Sequence, residues 1–118
     1  MSDIAELKPF IRLTLASPRG ASHSEFGRGI AGLCQGVKDT GSLNAAAKDM
    51  GMAYSKAWRI MKDTEQALGF SILNRNGAHG STLTAQGEKL LEVYCELERR
   101  TQAAAEQMLL DVAAELNA

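Results

Sequence analysis

The chain has 118 residues, which is the length of one ordinary domain. Apolar residues make up 45% of it and charged residues 23%, and with only 2 prolines this composition excludes a disordered linker protein. The net charge of −1 gives no overall attraction to a polyanion. The charge is unevenly distributed, however, because residues 1–81 carry 10 basic and 7 acidic side chains, whereas residues 82–118 carry 3 and 7. This asymmetry predicts that a polyanionic partner would contact the first part of the chain.

The cysteines and histidines form no pattern that indicates catalysis or metal binding. Cys34 and Cys95 lie far apart in apolar helical contexts, where a free Cys acts as a small hydrophobic residue, and neither belongs to a CxxC motif. His23 and His79 fall in loop-like segments without a nucleophile-and-base motif. We therefore expect no enzymatic activity, no metal and no cofactor.

The chain also lacks the sequence signals of secretion and membrane insertion. Its N-terminus has acidic residues and no apolar run of signal-peptide length. No stretch approaches the ~20 consecutive apolar residues that a membrane span needs. We expect a cytoplasmic protein that does not enter a membrane.

The first predicted element is a half-buried β-strand over residues 10–15. Ile11, Leu13 and Leu15 would share one face, because side chains alternate along a strand and the residues between them are polar. Residues 16–29 contain Pro18, three glycines and three serines, which predicts a loop.

Three helices are predicted next. The first begins near Ile30, where apolar residues recur at helical spacing, and ends at Gly41. Ser42 can cap a second helix over 43–50, and a third runs over 54–68. The spacing assigns the inner face of the third helix to Ala57, Ile60, Met61, Thr64 and Leu68.

The remaining sequence predicts a hairpin followed by a long helix. Two β-prone runs, 70–73 and 82–84, flank a segment rich in turn-forming residues, and Thr84 can cap a helix over 85–116. A weak heptad seam runs along this helix. The seam, which we expect to pair two copies of the chain, consists of Leu90, Tyr94, Leu97, Thr101, Ala104 and Met108. The order β-α-α-α-β-β-α predicts a mainly α fold with a small β part.

Residues 43–62 have the pattern of a helix-turn-helix. That motif needs a small residue where the helices touch, a residue that tolerates positive φ in the turn, and apolar residues that pin the second helix on the first. Ala47 stands at the close contact and Gly51 in the turn. The inward positions are Ala46, Met50, Met52, Ala57 and Ile60. An ordinary αα-hairpin shares these features, but the wing-like hairpin that follows and the basic third helix favour nucleic-acid binding.

The outward side of the third helix supplies the candidate DNA contacts. Arg59 can read a base edge, with a phosphate contact as the alternative, whereas Lys56 and Lys62 would bind phosphates. Tyr54 and Ser55, at the start of the helix, can contact either. The candidate contacts outside this helix are Ser42, Arg75 and His79, the last two on the predicted wing.

Two further residues of this region carry predictions of their own. Trp58, the only Trp, could stack in DNA, but its inward-facing neighbours favour packing against the wing or the first helix. Ala53 stands where the third helix needs an N-cap and is a poor one, which would cost ~1 kcal/mol of helix stability that phosphate contacts could offset.

Four stretches of the chain match a known pattern: DTGSLNAAAKDMGM from Asp39, YSKAWR from Tyr54, LGF from Leu68 and LTAQGE from Leu83. On these stretches, residues 30–97 resemble the N-terminal winged helix of ModE-type molybdate-responsive regulators and, more distantly, the DNA-binding domain of LysR-type regulators. The resemblance implies a winged helix-turn-helix with an N-terminal strand and a long C-terminal helix. ModE-type proteins sense molybdate through C-terminal oxyanion-binding domains that have no counterpart among these residues, so we expect no molybdate response and leave the effector open.

These patterns together predict a sequence-specific, double-stranded DNA-binding protein that acts as a homodimer in transcriptional regulation. Residues 1–84 would form the winged helix-turn-helix and residues 85–118 the dimerisation helix. Two-fold symmetry would then imply a pseudo-palindromic binding site. The alternative, which the near-zero net charge keeps open, is a protein-interaction module on a winged-helix scaffold.

Overall fold

The computed structural model describes residues 3–18, 25–75 and 80–116. The chain is mostly helical and has a two-stranded antiparallel sheet. In chain order the elements are a 3₁₀ turn Ile4–Glu6, helices α1 Arg28–Thr40, α2 Leu43–Asp49 and α3 Tyr54–Leu68, strands β1 Leu73–Arg75 and β2 Ser81–Leu83, and helix α4 Ala85–Glu115. The predicted mainly α, winged helix-turn-helix fold is therefore confirmed. Within the described ranges no helix is long and apolar enough to cross a membrane.

The N-terminal segment 10–15 is extended but does not form the predicted strand. Ile11 and Leu13 are half-buried and alternate with exposed residues, as the prediction required. Only Leu15 pairs with another extended residue, through an isolated antiparallel bridge to Phe26. Its two backbone hydrogen bonds measure 2.9 and 2.8 Å.

Helix α4, rather than a neighbouring strand, satisfies the backbone of this segment. The Gln102 amide accepts a hydrogen bond from Ile11 N at 3.0 Å and donates one to the Pro9 carbonyl at 2.7 Å. The Tyr94 hydroxyl donates to the Leu13 carbonyl at 3.0 Å. Because these polar groups bond to side chains of a helix, the segment keeps the alternation of a strand without joining a sheet.

Helices α2 and α3 form the predicted helix-turn-helix. Gly51 adopts the left-handed conformation at φ +67°, and Met52 N donates to the Ala47 carbonyl at 2.9 Å across the turn. Ala47 is fully buried, as its place at the close contact requires. Met50, predicted to face inward, is instead 42% exposed. Met50 is the C-cap residue of α2. Its thioether lies against Gly32 of α1, outside the contact between α2 and α3.

The sequence pattern did not reveal the close approach of α1 and α2. A Cβ atom added to Gly36 would lie 2.5 Å from the Cβ of Ala46, so the two helices touch through their smallest residues. The largest fully buried side chains of the core belong to α1, α3, α4 and the loops between elements, and include Phe26, Leu33, Met61, Ile72 and Tyr94.

The wing strands are shifted from their predicted positions. The carboxylate of Glu65 accepts hydrogen bonds from Ile72 N and Leu73 N at 2.6 and 3.0 Å, so the chain stays attached to α3 and β1 begins at Leu73 instead of residue 70. β2 ends at Leu83 because Thr84 leaves the strand to cap α4, its hydroxyl accepting from Gly87 N at 2.9 Å. The register pairs Leu73 with Leu83.

The two cysteines lie in different environments, contrary to the prediction that both are small hydrophobic residues. Cys34 is fully buried in α1. Burial, together with the nearby Glu65 carboxylate, raises the pKa of its thiol to about 12. Cys95 is exposed, because α4 turns it toward solvent.

Candidate nucleic-acid interface

Helix α3 exposes a continuous polar and basic face. Ala57, Met61 and Thr64 hold the helix in the core, and the Thr64 hydroxyl donates to the Ile60 carbonyl at 2.8 Å. The opposite side is exposed and carries four candidate contacts, namely Ser55, Lys56, Arg59 and Lys62. Tyr54 is exposed at the N-terminal end of the helix, on the side of Ala57 and Met61. The structure therefore exposes all five predicted residues and groups four of them on one face.

The basic residues of this face form no ion pairs within the described part of the chain, and Asp63 is the acidic residue on the same side. No ion pair between described residues involves Lys56, Arg59 or Lys62. On α4, by contrast, Arg100 lies 2.9 Å from Glu96, and Arg99 also pairs with that carboxylate, which lowers the pKa of Glu96 to about 2. Three cations without an ion pair among the described residues thus lie on the exposed side of α3.

The start of α3 is also suited to an anion. Ala53 precedes the helix in an extended conformation and provides no side-chain cap, as predicted. The first N–H groups of a helix lack intrahelical partners, and they carry the positive end of the helix dipole. A phosphate at this end would satisfy groups that the sequence leaves uncapped.

Ser42, Arg75 and His79 are placed differently from the α3 residues. The Ser42 hydroxyl caps α2 by accepting from Ala45 N at 3.1 Å. Arg75 lies on β1 with its guanidinium 3.1 Å from the centre of the Trp58 ring. His79 lies outside the residues that the structure describes.

The Trp58 environment agrees with the packing interpretation of that residue. Its ring is half-buried and packs against the core cluster from the α3 side. The Arg75 guanidinium from the wing covers it, and Lys62 Nζ lies 5.7 Å from the ring centre. The predicted contact between Trp58 and the wing is therefore present.

The predicted seam on α4 is only partly exposed. Leu97, Ala104 and Met108 face solvent. Leu90 and Thr101 are half-buried. Tyr94 does not belong to an exposed seam, since it is 2% exposed and meets the Phe26 ring edge-on at a centroid distance of 5.3 Å.

Val93 takes the place that the heptad pattern assigned to Tyr94. It is exposed, one residue before Tyr94, and helix geometry puts it beside Leu90 and Leu97. Sequence reasoning missed it because a four-then-three repeat from Leu90 selects Tyr94. The hydroxyl of a buried Tyr finds a partner, here the Leu13 carbonyl, and that long-range contact turns Tyr94 inward.

The comparisons with known proteins agree with this geometry. The family described as bacterial regulatory helix-turn-helix protein, lysR family, matches residues 33–88, which include α2, α3 and the wing. The chain is 30% identical over 82 residues to the DNA-binding transcriptional dual regulator ModE of Escherichia coli strain K12, a match that covers 66% of this chain and 31% of that protein. It is 34% identical over 83 residues to the transcriptional regulator ModE of Haemophilus influenzae, covering 67% and 32%.

One solved structure is similar to this chain over most of the solved structure's length. The crystal structure of the CbnR_DBD–DNA complex superposes with a TM-score of 0.57 at 26% identity, covering 72% of this chain and 94% of that one. Residues 33–88 thus resemble a LysR-type helix-turn-helix domain, and the chain is similar to ModE regulators over part of their length. It spans about a third of the length of the ModE relatives that it matches.

The ModE-like LTAQGE stretch has a structural explanation. The Thr84 hydroxyl donates to the Ser71 carbonyl at 2.7 Å while it accepts from Gly87 N, so a single side chain joins the wing to α4. Gly87 is buried against the Ile72 carbonyl, where a Cβ atom would collide with that oxygen. The Thr-x-x-Gly spacing thus fixes the long helix against the root of the wing.

Proposed function

We propose that the chain is a DNA-binding transcriptional regulator that acts as a homodimer. The observation that carries the proposal is the exposed basic face of α3, which the helix-turn-helix presents with no ion pair to Lys56, Arg59 or Lys62 among the described residues. The ModE relatives are transcriptional regulators by description, and the similar CbnR_DBD structure is a complex with DNA.

The first half of α3 enters the major groove. In helix-turn-helix proteins the N-terminal residues of the second helix contact base edges, which here are Tyr54, Ser55 and Arg59. An arginine can bond in a bidentate manner to the edge of a guanine. Lys56 and Lys62 bind the sugar–phosphate backbone and fix the register of the helix on the duplex.

Two copies pair through α4. We define the α4 outer seam as Leu90, Val93, Leu97, Thr101, Ala104 and Met108. Met108 is 57% exposed and Leu97 37%, which supports the pairing because a second copy would remove this apolar surface from water. An interface in which the same patch meets itself has two-fold symmetry, so the DNA site is pseudo-palindromic.

Salt titration of DNA binding tests the proposal. Binding of the full chain to mixed-sequence duplex DNA should weaken steeply as salt rises, because each phosphate contact releases counterions. Lys56→Ala should lower the affinity and the salt slope. Lys8→Ala is the matched control, since Lys8 lies beside Phe10 on the N-terminal segment, remote in sequence from α3. If wild-type protein shows no salt-dependent binding, the alternative of a protein-interaction module is favoured.

A further inference from the structure

Glu65 joins the recognition helix to the first strand of the wing. Its side chain is only 14% exposed. One carboxylate oxygen accepts hydrogen bonds from Ile72 N at 2.6 Å and Leu73 N at 3.0 Å. The other oxygen lies 4.0 Å from the guanidinium of Arg75, two residues farther along the same strand. A single side chain of α3 therefore binds the wing backbone and pairs with a wing cation.

Trp58 provides a second attachment for the same arginine. It lies two helical turns before Glu65, on the same side of α3. The Arg75 guanidinium lies over its ring at 3.1 Å from the centre, within the ~6 Å at which a cation is attracted to an aromatic face. Arg75 is thus held from two sides by α3, by a negative charge and by an aromatic surface.

In this arrangement two groups of α3 compete with DNA for the guanidinium of Arg75, which is one of the candidate DNA contacts. An arginine that binds a phosphate offers its planar fork of N–H donors to the anion. Here the guanidinium lies 4.0 Å from the Glu65 carboxylate and over the Trp58 ring, while 41% of the Arg75 side chain stays exposed. If Arg75 left both partners, the largely buried carboxylate of Glu65 would lose its counter-charge, which is costly.

We propose, resting on the proposed DNA-binding function, that Trp58, Glu65 and Arg75 form a wing latch that sets the wing against the recognition helix, with Glu65 and Arg75 as positioning residues for DNA recognition. The latch makes the two DNA-facing elements one rigid unit. The preference for a DNA site then depends on a carboxylate that touches no DNA.

The latch is tested first in the free protein, where Trp58 is the only tryptophan and reports its own surroundings. Arg75→Ala should shift its emission to longer wavelength and increase quenching by acrylamide, because the ring loses its cover. Asn74→Ala is the matched control, since this exposed neighbour on β1 points to the other face of the strand. If Arg75→Ala leaves emission and quenching as in the wild type, the latch is absent.

Glu65→Gln distinguishes a positioning role of Glu65 from a purely electrostatic effect, because the two predict opposite changes in DNA affinity. The change removes a negative charge and keeps the shape and one hydrogen-bond acceptor. Electrostatics alone predicts equal or tighter DNA binding, whereas the latch predicts a loss of about tenfold for the preferred site. Asp63→Asn removes an equal charge from the exposed side of α3 and should leave affinity unchanged or raised.

Arg75→Lys gives the second, fold-preserving variant. It keeps the charge for a phosphate but loses the planar stack on Trp58, so the latch predicts a lowered preference for the selected site with an unchanged salt slope. Wild-type preference in both Glu65→Gln and Arg75→Lys would overturn the proposal. Absence of DNA binding by the wild type would instead overturn the proposed function, and the fluorescence comparison would still decide whether the latch exists.

Discussion

Arg59 and Lys62 carry the same charge one turn apart on the exposed face of α3, but we expect their positions along the helix to give them different roles in DNA binding. Arg59 lies in the first half of the helix, which enters deepest into the groove in this fold class. Lys62 lies a turn later and beside the Trp58 ring, at the level where the wing meets the helix. A base contact and a phosphate contact respond differently to mutation, which makes the assignment testable.

We expect Arg59→Ala to cost ~1–3 kcal/mol on the preferred site and to flatten the preference at one base pair. Lys62→Ala should weaken binding to all sequences alike and lower the salt slope by about one. Selection of preferred sites from a random pool, followed by salt titrations, measures both effects. If Arg59→Ala keeps the wild-type preference at every base pair, Arg59 is a backbone contact and the readout comes from Tyr54, Ser55, Lys56 or the wing.

The buried thiol of Cys34 makes stability depend on alkaline pH. In the unfolded chain the thiol ionises near its ordinary pKa of 9.0, whereas in the folded chain burial keeps it protonated to about 12. Between these values the unfolded state binds fewer protons than the folded state, so stability falls as the pH rises from about 9 to about 12. Below that window the Cys34 thiol is protonated in both states and adds no pH dependence.

Urea denaturation of the wild type and Cys34→Ala at a series of pH values tests this expectation. The variant should be less stable at neutral pH, because it loses buried volume, but its stability should decline less above pH 9. The other titrating groups are common to both proteins and cancel in the comparison. Parallel curves for the two proteins above that pH would show that Cys34 ionises equally in both states.

At the scale of elements, the joint between the wing and α4 depends on a close approach. Gly87, in the first turn of α4, packs on the Ile72 carbonyl, and Thr84 ties the same turn to Ser71. This contact lets the long helix begin directly at the end of β2. A side chain at Gly87 would push α4 away from the root of the wing.

Gly87→Ala should therefore destabilise the fold by ~1–3 kcal/mol, because its methyl group would collide with backbone that cannot easily move. Gly29→Ala is the matched control in the first turn of α1, where an added Cβ meets nothing within 4 Å. It should stabilise by ~0.5–1 kcal/mol through helix propensity. Thermal or urea unfolding gives both values, and equal effects of the two substitutions would contradict the packing argument.

For the whole molecule, we expect the α4 outer seam to determine the state of association. Leu97 lies at its centre, whereas Leu110 is also exposed but projects from nearly the opposite side of the same helix. Substitutions of Leu97 and Leu110 therefore remove the same side chain from the same helix and differ only in the face of α4 that they change.

We expect the wild type to sediment as a dimer and Leu97→Asp as a monomer with sharply reduced DNA affinity. A buried unpaired carboxylate opposes association, and a monomer contacts only one half-site. Leu110→Asp should remain dimeric. A wild-type monomer at tens of micromolar, or equal dissociation of both variants, would count against pairing through this face.

The local patterns of the sequence were sufficient for the helices and the turn between them. The predicted bounds of α3 coincide with the observed ones, and Gly51 has the positive φ that its position required. Ser42 and Thr84 cap α2 and α4 as predicted. These features depend on neighbours within a few residues, so composition and spacing along the chain contain the information that determines them.

Tertiary contacts decided the features that depend on distant residues. The segment at 10–15 has the alternation of a strand, but its backbone bonds to Gln102 and Tyr94, far along the chain. The same contact removed Tyr94 from the predicted seam. Likewise the Glu65 carboxylate shifts the start of β1 because it accepts hydrogen bonds from Ile72 N and Leu73 N. Periodicity within one element cannot show which distant side chain will accept a hydrogen bond from a backbone N–H group.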